Sequence, residues 1–449
     1  MRKGKSGEVL MTEGCIWKHI VRFALPLALG YLFQQLYTTV DSIVVGNYVG
    51  KEALAAVGTT SPIINTLIGF FSGLATGGSV VIAKNYGAGN AKMVEKAVHT
   101  AITVILIFSV FATVLGVFMV PYMLNLMSTP EDVYDEAEAY LQIYFAGVSS
   151  LMIYNMGSAI LRAVGDSVRP LCYLICSSFV NVVFDIIFVK YMSMGVAGAA
   201  LATGISQCVG GIVPFVWFLS KKNKSALRFT KTKFEPKPMI KACVNGSSEM
   251  MTSVSASVTG ILYNLQLMKY AGEDGVAAYG VVMYAAFIFI GIFAGYSSGA
   301  SPVMGYHYGA ANHKEMKNIL RKSIIMLAIT AAVLTVCAVL LARPISALFV
   351  GYDAELLKLT SDAFVICALP FLVMWLNMYA SSFFTALNDG AVSAAISFLR
   401  SLVLPVICIL VFPRIWQLDG VWYALAGSEF LSTFISLAFM IGKRKKYGY

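Results

Sequence analysis

Charge is what this sequence lacks most. Asp, Glu, Lys and Arg make up 12% of its 449 residues, about half the ~25% of ordinary soluble domains, while 58% are hydrophobic. There is too little polar surface here to cover a soluble globule. Four histidines and no His/Cys cluster exclude a metal centre built on those ligands, and no nucleophile–base pair is recognisable. The absence of a Gly-rich loop ending in Gly-Lys-Ser/Thr excludes ATP as an energy source within this chain. The eight cysteines fall almost entirely inside apolar runs, without paired loop spacing, and read as small core residues. The basic N-terminal stretch lacks a signal-peptide cleavage site and leads into a first span.

What remains is hydrocarbon in long runs. A span takes ~20 apolar residues, and the runs place spans at 17–47, 53–82, 94–119, 138–162, 170–190 and 195–219, then 240–268, 276–304, 319–342, 361–386, 392–412 and 420–442. The expected fold class is an all-α polytopic membrane protein with twelve transmembrane helices. Pro26 lies inside the first span and marks it for a kink, because proline removes a backbone donor and crowds the preceding turn.

The net charge of +10 is an orientation signal and not a nucleic-acid patch. Eight Lys or Arg residues crowd 220–241, Lys84, Lys92 and Lys96 follow span two, and Lys314, Lys317, Arg321 and Lys322 follow span eight. Glu131, Asp132, Asp135, Glu136 and Glu138 follow span three with no basic residue among them. Basic loops stay in the cytoplasm, so both termini are expected there.

The chain also repeats itself at a shift of 222. Tyr86-Gly87-Ala88-Gly89-Asn90-Ala91-Lys92 aligns with Tyr308-Gly309-Ala310-Ala311-Asn312-His313-Lys314, Gly50 with Gly272, Gly73 with Gly295, and Asn155-Met156 with Asn377-Met378. Six spans per repeat is an even number, so the halves share orientation. We expect an N-lobe over 1–219, a basic cytoplasmic linker over 220–239 and a C-lobe over 240–449, which is an alternating-access layout.

Ionisable residues at membrane depth are costly and mark functional candidates. Asp41 in span one, Asp185 in span five and Thr203 in span six all fall about 10 Å from the outer boundary at 1.5 Å per residue. Asn181 lies one turn from Asp185 on the same face. Two carboxylates, an amide and a hydroxyl offer oxygen ligands for Na⁺ or a shared proton site; separate structural hydrogen bonds are the alternative. Glu249, in a Ser/Thr-rich seventh span, is either a second proton site or a helix-packing carboxyl. Glu429 reads as structural. Arg162, Arg169 and Arg400 lie at inner helix ends, where snorkelling accounts for them. The 21 Met and the abundant Phe and Tyr suit a pliable drug cavity and ordinary membrane packing equally well.

Several of these segments together resemble the multidrug and toxic compound extrusion (MATE) family. They are Asp41-Ser42-Ile43-Val44-Val45-Gly46, the run from Gly50 to Gly58, the Tyr-Gly-Ala-Gly-Asn-Ala-Lys stretch with its copy, Leu161-Arg162-Ala163-Val164-Gly165-Asp166, and Asn181 with Asp185. The resemblance covers essentially the whole chain and points to the DNA-damage-inducible and Gram-positive exporter branch. It implies two six-helix lobes around a V-shaped central cavity, no cofactor, and export of drug-like organic compounds, often cations, in exchange for Na⁺ or H⁺. By the same resemblance the cation site is Asp41, Asn181, Asp185 and Thr203, with Asn155 as a supporting polar neighbour. Glu249 matches a glutamate that another branch pairs with an acid in span ten, where this chain has Asn377. The implied setting is the cell membrane, as a monomer. A lipid-linked oligosaccharide flippase is the alternative transporter, disfavoured by the lack of an intramembrane Arg/Lys cluster. A membrane-embedded enzyme would need loops longer and richer in His than these.

The loop charges give a direct expectation. In a cysteine-free background, cysteine introduced at 135 should react with an impermeant maleimide in intact cells and cysteine at 231 should not. The reverse labelling would invert the orientation.

Overall fold

The computed structural model describes residues 16–126, 131–220, 227, 236–351 and 353–449, so most of the basic linker lies outside the described residues. Six helices form the first lobe: α1 Ile16–Tyr48, α2 Lys51–Gly87, α3 Ala91–Leu126, α4 Glu131–Ala163, α5 Val168–Asp185 and α6 Gly195–Leu219. A π-helical turn, Ile186–Tyr191, extends α5. The second lobe holds α7 Pro236–Gly309, α8 His313–Val350, α9 Ala354–Ala368, α10 Phe371–Ala386, α11 Gly390–Phe398, α12 Leu404–Gly442 and a final turn, α13 Arg444–Tyr447. Leu399–Val403 joins α11 to α12 as a second π-helical turn.

Backbone breaks turn these elements into twelve crossings. At 74 residues α7 would be about 110 Å long if straight, several times a bilayer's hydrocarbon core. It breaks at Gly272, whose φ of 61° and ψ of −149° are non-helical. The run from α11 through α12 breaks likewise at Gln417, with φ 51° and ψ −125°. The expected single span over 361–386 is instead the pair α9 and α10, bent by 48°. Pro370 sits at that bend, where a missing donor ends the helical ladder. By contrast α1 passes through Pro26 as one helix.

The repeat in the sequence reappears in the backbone. Positive φ values occur at Gly50 and Gly272, at Gly89 and Ala311, and at Gly195 and Gln417, each pair 222 residues apart. Left-handed backbone at Ala311 and Gln417 costs about 1 kcal/mol or more each, which the second lobe bears in order to turn where the first lobe turns.

The lobes meet along α2 and α7. Gly69, Gly73 and Gly77, four residues apart on one face of α2, lie against α7: a Cβ added at them would overlap Ser253, the carbonyl of Gly246 and the carbonyl of Ala242. Thr66 and Ser257 hydroxyls approach to 3.4 Å on the same line. At the far end the contact is symmetric. A Cβ on Gly87 would overlap the carbonyl of Tyr306, and one on Gly309 would overlap that of Lys84; both glycines and both partners are repeat equivalents. Without hydrophobic drive between helices in lipid, small residues that admit close backbone packing set such interfaces.

This end is also fastened by side chains. Lys84 Nζ lies 4.7 Å from the Tyr308 ring centre, and Tyr308 in turn meets Tyr447 edge to face at 6.1 Å. The Tyr447 hydroxyl donates to Asp389, with Lys446 at 3.5 Å. Partial burial pushes the Asp389 carboxyl up, but the Tyr447 donor and the Lys446 charge outweigh it and hold it below its ordinary value. Its stabilising contribution is therefore present above the ordinary carboxylate range and lost as pH falls through the lowered value.

Substituting Gly77 by Ala should lower the thermal midpoint of the purified protein in detergent, because the new methyl meets backbone that cannot swing away. Gly204→Ala in α6 meets nothing within 4 Å and should be neutral or raise the midpoint, since Ala favours a helix over Gly by about 0.5–1 kcal/mol. Equal effects of the two would refute the close seam.

Candidate cation site and central cavity

Four residues singled out in the sequence converge inside the first lobe. Asp41 on α1, Asn181 and Asp185 on α5, and Thr203 on α6 are all buried, Asp185 completely. The Asp41 and Asp185 carboxyls are neighbours close enough to interact electrostatically. Asn181 Nδ2 donates to Thr203 Oγ1 at 3.3 Å. That leaves Asn181 Oδ1, Asp41 Oδ1 and both Asp185 oxygens buried without a donor among the described residues. A buried acceptor without a donor costs free energy, and two adjacent anions cost more. Four unsatisfied oxygens in one pocket are an arrangement that a proton or a small monovalent cation completes. The set is all oxygen, the preference of a hard cation and not of a soft transition metal.

The local sequence explains the convergence. Asn181 and Asp185 share a face of α5 by the i, i+4 rule, directly before its π-helical turn. Small residues from Gly195 to Gly204 let α6 pack closely enough for Thr203 to reach α5. Three tyrosines complete the surroundings. Tyr37, one turn before Asp41, and Tyr140 on α4 both lie within electrostatic range of both carboxylates, and Tyr144 stacks on Tyr140 at 6.4 Å. Sequence reasoning passed over them, although the spacing of Tyr37 from Asp41 and of Tyr140 from Tyr144 is the one-turn signal that would have found them.

A separate cavity of about 1060 Å³, open space at its mouth included, lies between the lobes. Pro26, Tyr31 and Gln34 of α1 form one wall, with Asn155 and Arg162 from α4 and Glu249 from α7 on others. Asn155 therefore faces the cavity, and its amide donates to the Leu151 carbonyl of its own helix at 3.0 Å. Tyr154, also on the cavity wall, lies in electrostatic range of Tyr37, so the cavity and the acid pair adjoin. The helix α1 belongs to both.

Two arginines depart from the snorkelling expectation. Arg162 lines the central cavity beside Tyr31 and Tyr154. Arg400 turns into the second lobe and pairs with Glu429 at 2.8 Å, the two side chains 15% and 13% exposed. Asn377 Nδ2 donates to the same carboxylate at 2.8 Å, and Ser436 donates to Asn377 Oδ1 at 2.8 Å. Glu429 is thus neutralised and fully hydrogen-bonded, in keeping with a structural carboxylate.

The second lobe has no copy of the acid pair. At the shift of 222, Tyr263 replaces Asp41, Ile407 replaces Asp185, Val403 replaces Asn181 and Leu425 replaces Thr203. Tyr263 is buried and stacks on Tyr279 at 5.7 Å, filling with aromatic surface what the first lobe leaves polar.

A two-lobed, twelve-helix membrane protein with an inter-lobe cavity and a buried acid pair in one lobe is built as a transporter. The chain belongs to the MatE family, whose profile matches residues 26–187 and, a second time, 250–410, once in each lobe. Among relatives it is 28% identical over 272 residues to the probable multidrug resistance protein YpnP of Bacillus subtilis, a match covering 60% of each chain. It is 22% identical over 443 residues to the multidrug export protein MepA of Staphylococcus haemolyticus, covering 97% of this chain and 95% of that one. The fold superposes on a structure described as the outward-facing conformation of a multidrug resistance MATE family transporter with a TM-score of 0.92 over 100% of both chains, at 24% identity.

Breaking the second-lobe ion pair should show that it is structural. Arg400→Met leaves Glu429 buried and unpaired and should cost about 3–5 kcal/mol in detergent unfolding. Arg400→Met with Glu429→Gln should recover most of that loss; no recovery would assign the arginine another partner.

Proposed function

We propose that this chain exports organic, often cationic, drug-like compounds from the cell in exchange for Na⁺ or H⁺ by alternating access. The observation that carries the reading is that α1 contributes Asp41 to the buried acid pair and Pro26, Tyr31 and Gln34 to the cavity wall. Cation occupancy and cavity shape are then two properties of one helix. The multidrug names of the relatives support the substrate class, and the loop charges support a multi-pass cell-membrane protein with cytoplasmic termini. In this orientation the seam at Gly87 and Gly309 closes the cytoplasmic side.

Coupling follows from electrostatics. With Asp41 and Asp185 both ionised, repulsion in a poorly hydrated interior disfavours the arrangement seen here; a shared proton or a Na⁺ held with Asn181 and Thr203 relieves it. A bound cation drives export only by favouring one conformation over the other. Bending α1 at Pro26, where the helical hydrogen bond is already missing, would carry the change from the acid pair to the cavity. Glu249 faces the cavity and serves substrate in this scheme, with cation coupling confined to the first lobe.

Asp41→Asn and Asp185→Asn should each abolish dye export from inverted vesicles under separately imposed Na⁺ and proton gradients, and the double variant should be no worse than either. Equilibrium dye binding should persist. Folded single variants with near-normal gradient-driven export would overturn the cation site.

A further inference from the structure

Residues 444–449 follow the last span and fold back onto the second lobe. Gly448, in left-handed backbone with φ 72°, reverses the chain after α13, and Tyr447 and Tyr449 are both buried. Tyr449 donates its hydroxyl to the Met440 carbonyl at 2.7 Å and meets Phe383 edge to face at 4.8 Å. Its own carbonyl accepts from Arg444 Nε at 3.1 Å. Tyr447 packs edge to face with Phe384 at 6.4 Å and with Tyr308 at 6.1 Å, and donates to Asp389 in the turn between α10 and α11. The first lobe has a matching fold-back. Leu227, the equivalent of Tyr449 at the shift of 222, is buried in the same core cluster as Leu161, the equivalent of Phe383. Two segments unlike in sequence return to the same place in their lobes, so the fold-back belongs to the frame of the protein.

The second fold-back differs in reaching the seam. Tyr308 stands one residue before Gly309, which packs on the Lys84 carbonyl. The Tyr308 ring has Lys84 Nζ 4.7 Å from its centre, and Tyr447 is set against it. Lys84 comes from the first lobe and every other member of this group from the second. A tyrosine side chain free to change rotamer loses entropy when it is held under a cation; wedged by Tyr447, it has less to lose. We infer that residues 444–449 are a strap that holds the lobes closed on the cytoplasmic side, with Tyr447 as the positioning residue that keeps the Tyr308 ring under Lys84, and that loosening the strap favours the cytoplasm-open conformation. The inference rests on the orientation and the alternating-access reading above. Opening the seam parts Lys84 from Tyr308, and a contact made in only one of two conformations shifts the balance between them.

The test places spin labels at Lys92→Cys and Lys314→Cys, exposed repeat equivalents on the two lobes, in the full chain without native cysteines, and reads their distance distribution in nanodiscs by double electron–electron resonance. Tyr447→Ala should raise the ratio of long to short distances about fivefold, the order of one lost cation–π contact. Tyr447→Phe, which keeps the ring and loses the hydrogen bond, should raise it less. Lys84→Met should also raise the ratio, and adding Tyr447→Ala to it should change little more, because the two act through one contact. Additive effects, or an unchanged ratio in Tyr447→Ala, would overturn the strap; if that variant does not fold, an unchanged ratio in Tyr447→Phe does so. Gly309→Ala, whose new methyl meets the Lys84 carbonyl, forces the seam directly. Long distances in Gly309→Ala but in neither Tyr447 variant would overturn the strap and leave alternating access standing. Long distances in none of the variants would overturn both.

Discussion

The lobes are held by backbone lying against backbone. Along α2 the glycines at 69, 73 and 77 admit α7 to within contact of main-chain atoms, and at the far end Gly87 and Gly309 exchange equivalent contacts with Tyr306 and Lys84. In lipid, where apolar side chains gain little by leaving one hydrocarbon environment for another, this proximity is the main source of helix adhesion. The same line of glycines places Glu249 against α2 and so sets one wall of the cavity.

Duplication gives the protein its frame, and departures from duplication give it polarity. The turns recur at matched positions, at Gly50 and Gly272 and at Gly195 and Gln417. The polar interiors do not recur. The first lobe keeps two adjacent carboxylates with unsatisfied oxygens, a costly arrangement that a cation can relieve. The second lobe answers its one buried carboxylate, Glu429, with Arg400 and Asn377, and fills the place of Asp41 with a stacked tyrosine. One half leaves buried carboxylate oxygens without a donor among the described residues, and the other pairs its buried carboxylate.

Between these halves α1 is the shared part. It carries Asp41 among Tyr37, Tyr140 and Asp185, and a few turns away it presents Pro26 and Tyr31 to the cavity. Its unbroken course through Pro26 leaves one backbone acceptor without its helical donor, at the place where bending costs least. The geometry links the acid pair to the cavity through one element and needs no longer pathway.

The sequence by itself determined the membrane environment, the twelve crossings, the repeat and the membership of the acid pair. Hydropathy, loop charge and the shift of 222 are properties of residues in order, and the depth of an intramembrane acid follows from counting along a helix. The bend at Pro370 within span ten was missed, because the unbroken hydropathy of 361–386 reads as a single straight span. Tertiary structure alone decided which charges meet. Arg162 and Arg400 stand at similar helix ends and look alike in the sequence, yet among the described residues one faces the cavity without an ion pair and the other is paired with Glu429. Asn155, a repeat equivalent of Asn377, faces the cavity while its counterpart holds a buried glutamate. Side-chain partners depend on how neighbouring helices rotate about their axes, and that rotation is fixed by packing between helices distant in the chain, which no local pattern records.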